Sequence, residues 1–90
     1  MKSKFEKTGE EIRRQTRELI LAFMKQGEDC QPGAEGIRQA ELFRTCGLDW
    51  GEQPTATSTQ QNFWIVGLLR TLEGEGIVER DTTTKKWKLK

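Results

Sequence analysis

The last third of the chain, "STQQNFWIVGLLRTLEGEGIVERDTTTKKWKLK" from Ser58 to Lys90, changes its apolar period midway. Up to Leu72 the apolar residues recur at helical spacing, with Ile65, Leu69 and Leu72 on one face and Leu68 beside them. After Gly76 the pattern alternates: Ile77, Glu79 and Asp81 against Val78 and Arg80, then Trp87 and Leu89 between Lys86, Lys88 and Lys90. A helix that stops near Gly76 and two strands joined by the polar "DTTTK" satisfy both periods. Trp87 and Leu89 mark the core face of that hairpin.

Upstream, "TGEEIRRQTRELILAFMKQGE" predicts a first helix with Thr8 as N-cap, Glu10 and Glu11 in its first turn and Lys25 near its end. Ile12, Leu19, Ile20, Ala22, Phe23 and Met24 form its expected core stripe. "GEDCQPGAEG" has three glycines, a proline and no period, so it is a loop. It lacks the Gly-Lys-Ser/Thr ending of a P-loop, and Glu28, Asp29 and Glu35 would repel phosphate. "IRQAELFRTCG" predicts a short second helix with Ala40, Leu42, Phe43 and Cys46 apolar and Gly47 as its stop. "LDWGEQPTA" is a second loop. Thr57 with Gln60, or Ser58 with Gln61, then offers a capping box for the third helix.

Helices that cannot bury their stripes alone and a hairpin too small to stand alone need one another. The expected fold is therefore α+β, mainly α: a three-helix bundle with a C-terminal β-hairpin. Ninety residues with 33% hydrophobic and 32% charged side chains suit one soluble domain over residues 1–90, with a flexible start at about 1–8.

"LLRTLEGEGIVER" resembles the end of the recognition helix, the glycine stop and the first wing strand of the winged helix-turn-helix family. "IRQAELFRTCGL" is similar to that family's second helix and following turn. The resemblance spans residues 10 to 90 and implies DNA binding in transcription regulation or DNA targeting. Gln60, Gln61 and Asn62 open the third helix with amides able to pair with adenine edges. Arg70, Lys85 and Lys86 would meet phosphates, with Arg38 and Arg44 adding backbone contacts.

Charge sets the expected strength. Residues 1–27 carry seven basic and four acidic side chains, residues 28–59 two and six, and residues 60–90 six and four, for a net +1. Phosphate neutralisation supplies most of a DNA binder's affinity, so the affinity expected here is moderate.

The third helix also has an apolar outer side. Phe63, Trp64, Val66 and Gly67 lie away from the Ile65, Leu69 and Leu72 face, and Gly67 and Gly74 each cost about 1 kcal/mol relative to alanine inside a helix. Large aromatics beside flat glycines suit close packing, so the alternative function is a protein-protein interaction or dimerisation module, with a second copy or another protein as partner. Folding of the first helix or the Trp50 loop over this area would instead make it ordinary core.

Other classes find little support. With no histidine, and Cys30 and Cys46 far apart, neither a metal site, a cofactor nor a catalytic constellation is indicated; the chain is not expected to be an enzyme or to take a small-molecule ligand. The thiols are expected to be free. No run approaches the roughly 20 apolar residues of a membrane span, and no secretory signal is evident, which points to the cytoplasm.

Overall fold

The computed structural model describes residues 3–48 and 63–90, and of residues 63–65 the backbone alone. The capping residues expected at Thr57 to Gln61 and the loop carrying Trp50 lie outside the described residues. Within them the chain is mainly helical, with three α-helices and one two-stranded antiparallel sheet.

Helix α1 runs Lys4–Gln26. It begins earlier than expected because Ser3, not Thr8, is its N-cap: the Ser3 hydroxyl accepts from the Glu6 amide at 3.1 Å. Thr8 lies inside the helix, its hydroxyl donating to the Lys4 carbonyl at 3.0 Å. The buried row is Thr16, Ile20 and Met24, four residues apart, with the Thr16 hydroxyl satisfied by the Ile12 carbonyl at 2.8 Å. This corrects the expected stripe. Leu19 is 42% exposed and Ile12 53%, Ala22 is exposed and Phe23 half-buried. One residue turns a helix by about 100°, so a row aimed through Ile20 leaves Leu19 at the side.

The loop after α1 folds back on it. The Gln31 amide nitrogen lies 2.8 to 3.1 Å from the carbonyls of Gly27, Lys25 and Met24, covering the helix end, and a 3-10 turn at Glu28–Cys30 buries Cys30. Helix α2, Gln39–Thr45, buries Leu42 and Phe43. It stops at Gly47, as expected, with φ +72° and the Leu48 amide donating to the Phe43 carbonyl at 2.8 Å.

Helix α3, Phe63–Gly74, buries Leu69 and Leu72 and leaves Val66 and Leu68 half-buried against the core. Gly76 takes φ +78°, which lets the Ile77 amide return to the Leu72 carbonyl at 3.0 Å and turns the chain into the hairpin. Strands β1 (Val78–Arg80) and β2 (Trp87–Leu89) pair antiparallel, Val78 opposite Leu89 and Arg80 opposite Trp87. Trp87 is fully buried and Leu89 half-buried, so the expected core face is the observed one.

Trp87 is the largest side chain of a core formed with Ile20, Met24, Cys30, Ile37, Leu42, Phe43, Leu69, Leu72 and Val78. Its indole N–H donates to the Gln39 Oε1 at 3.3 Å, which spares the buried donor. The Arg17 guanidinium of α1 reaches Glu75 just beyond α3 at 2.7 Å. Among the described residues, no helix is long and apolar enough to cross a membrane.

Candidate nucleic-acid interface

Where the second half of α3 meets the hairpin turn, the surface sinks into a cleft of about 280 Å³ lined by Arg70, Glu73, Arg80, Asp81, Thr82 and Lys85. Each cation is held differently. Arg70 ion-pairs with Glu73 at 2.9 Å, one helical turn on, and its guanidinium carbon lies 5.3 Å from the centre of the Trp87 indole. Arg80 lies 5.5 Å from the same ring centre and donates from Nε to the Lys85 carbonyl at 3.3 Å. The indole is thus a common support for two guanidinium groups.

Lys85 closes the turn in the left-handed conformation, φ +63°. Two contacts fix it there: the Lys85 amide donates to the Asp81 carbonyl at 2.8 Å, and the Asp81 amide to the Lys86 carbonyl at 2.9 Å. The Asp81 carboxylate accepts from the Thr83 and Thr84 amides at 2.7 and 2.8 Å. Those backbone donors, Thr84 foremost, hold its pKa below the ordinary value. Three cations face two carboxylates in this cleft, so the site is basic but partly neutralised.

The remaining expected contact residues are dispersed. Arg38 is exposed at the N-cap of α2, and Arg44 is exposed in its last turn. Lys86 lies on the other side of the turn from Lys85, half-buried and 4.0 Å from Glu35. Gln60, Gln61 and Asn62 lie outside the described residues, as do the side chains of Phe63 and Trp64. Val66 packs partly on the core, while Gly67 is exposed, and among the described residues nothing beyond the helix's own local backbone comes within 4 Å of where its Cβ would stand. It borders a second groove, about 570 Å³, between α3 and the arginine-bearing side of α1 at Arg13, Arg14 and Arg17.

Arg80 was not among the residues expected from the sequence. Its signal was nevertheless available: a basic residue on a strand whose hairpin partner contributes a buried tryptophan.

Cys30 and Cys46 are free thiols, buried and half-buried. Burial above all raises both pKa values, with the Asp29 charge adding to the effect at Cys30, so neither is a ready thiolate. Comparison with protein-family models, curated proteins and solved structures yields no match.

Proposed function

We propose that the chain is a winged helix domain that binds double-stranded DNA with moderate affinity, as part of a transcription regulator or a DNA-targeting protein. The observation that carries this reading is the convergence of Arg70, Arg80 and Lys85 on one cleft between α3 and the hairpin. Cations where a helix meets a wing can contact the phosphates of a duplex, and the sequence just before α3, Gln60, Gln61 and Asn62, carries amides able to pair with base edges.

The conformation of Lys85 supports the same reading. Glycine is the residue that adopts positive φ without strain, yet a lysine stands at this turn, beside two arginines. Glu73 and Asp81 in the cleft, and the net charge of +1, limit the electrostatic contribution and keep the affinity moderate.

Fluorescence anisotropy with a labelled random duplex at low and moderate salt tests the proposal. Arg70→Ala with Lys85→Ala should weaken binding on every sequence and reduce the salt slope by about two, one per lost phosphate contact. Absence of binding by the parent at low salt would remove it.

The exposed Gly67 favours a second reading, a protein interface on the outer side of α3, to which the sequence would add the neighbouring aromatics Phe63 and Trp64. Binding there would be nearly insensitive to salt. Phe63→Glu should abolish partner binding with the fold intact; loss of the fold would assign Phe63 to the core.

A further inference from the structure

Helix α1 carries an exposed apolar stripe that the core does not use. Phe5 is 85% exposed, Ile12 53% and Leu19 42%, and the three are spaced by seven residues. With Gly9, Thr16 and Phe23 they make a 4-3-4-3-4 series, the spacing of a coiled-coil seam. Thr16 and Phe23 turn toward the protein's own core, so the seam is open mainly over the first four turns.

That open part is not uniform. Among the described residues, nothing beyond the helix's own local backbone comes within 4 Å of where a Gly9 Cβ would stand, and around it lies a shallow hollow of about 460 Å³ lined by Glu6, Gly9, Glu10, Ile12 and Arg13. The charges beside the seam are also unlike those behind it. On the outward face Arg14 is paired with both Glu11 and Glu18. Glu6 and Arg13, by contrast, have no ion-pair partner among the described residues. They stand seven residues apart, about 10 Å along the axis, too far to pair with each other.

We propose that α1 is a self-association surface whose occupant is the α1 of a second copy of this chain, packed antiparallel about a two-fold axis between Gly9 and Ile12. In this register Ile12 of each copy fills the hollow at Gly9 of the other, and Phe5 enters between Ile12 and Leu19 of the second copy. Glu6 falls beside Arg13 of the second copy and Arg13 beside its Glu6, so two ion pairs form from four charges that have no ion-pair partner among the described residues.

A parallel pairing fails on the same residues. It sets Gly9 against Gly9, leaving a void, and gives Glu6 and Arg13 no opposite charge. The antiparallel register also places the two folded bodies at opposite ends of the helix pair, because α1 enters its own core only from Thr16 onward. The exposed area of the three large side chains is on the order of 300 Å² per copy, below the 800 Å² of a standard interface, so the dimer is weak and concentration-dependent.

Sedimentation velocity of the whole chain without DNA, from low micromolar to near-millimolar concentration, tests this independently of nucleic-acid binding. The parent mass should rise toward twice the monomer. Ile12→Asp should remain monomeric with unchanged circular dichroism and melting. Glu6→Arg should weaken association roughly tenfold, and Glu6→Arg with Arg13→Glu should restore it, a coupling that a merely apolar contact would not produce. A parent that stays monomeric throughout overturns the proposal. So does a double variant no stronger than Glu6→Arg, which excludes the antiparallel register, or an Ile12→Asp variant that unfolds a monomeric parent, which assigns the stripe to a contact within one chain.

Discussion

Ile37 and Trp87 exchange both backbone hydrogen bonds, amide to carbonyl at 2.7 Å in each direction. This single bridge lays the segment before α2 against the outer edge of β2, and it is why residue 36 is glycine. At φ +93°, a Cβ on Gly36 would stand 2.9 Å from the Lys86 Cβ and 2.9 Å from the Trp87 carbonyl oxygen. Gly36→Ala should therefore cost more than the roughly 1–2 kcal/mol of a left-handed L-residue alone, since backbone must also move. Chemical denaturation checks it, and a cost below about 1 kcal/mol would show that the loop can shift away from β2 freely.

Leu69 lies in the middle of the core on α3, fully buried with Leu72 and Trp87. Leu69→Ala should destabilise by about 2 to 5 kcal/mol, a large part of the stability of a small domain. A variant that melts within a degree or two of the parent would contradict the packing of α3.

These two residues differ in how far the sequence discloses their roles. Leu69 is legible because α3 repeats its apolar face locally and Gly76 punctuates it, and the hairpin is legible because Val78, Trp87 and Leu89 alternate. The bridge through Ile37 is a contact across fifty residues that leaves no periodic trace. The first helix misleads for a different reason: two apolar rows run beside each other, and the row containing the polar Thr16 is the one that enters the core. Apolarity alone selects Ile12 and Leu19. In the cleft, Arg70 and Lys85 are legible as cations on the expected elements, whereas Arg80 joins them through its place over the Trp87 ring, which only the tertiary fold creates.

The hairpin turn should be acid-sensitive. Asp81 is bonded to two amides as a carboxylate, and its folded pKa lies below the ordinary 3.8. For a depressed carboxylate, the stabilisation is fully present above the unfolded value and is lost as pH falls through the folded one. Carboxyl-carbon NMR should place the Asp81 midpoint below 3.8, with the Thr83 and Thr84 amide resonances shifting along the same curve. A midpoint at or above that value would mean that the turn does not bind the carboxylate form.

Lys85 separates stability from binding, because the same residue is strained in the fold and placed at the cleft. Its φ of +63° costs an L-residue about 1 kcal/mol that glycine does not incur, and its amide bond to Asp81 survives the substitution. Lys85→Gly should raise the melting temperature by roughly 4 °C, the shift expected from somewhat under 1 kcal/mol in a domain of this size. The same variant should bind duplex DNA more weakly and lower the salt slope by about one, through the loss of one phosphate contact. Lys86→Ala is the matched control: Lys86 faces Glu35 on the other side of the turn, so it should change DNA binding less than Lys85→Gly does. Opposite movement of melting temperature and affinity at position 85 is the signature of a residue kept for contact rather than for the fold. A Lys85→Gly variant that is more stable and binds as tightly as the parent would take the turn out of the interface, leaving Arg70 and Arg80 to account for any phosphate contact there.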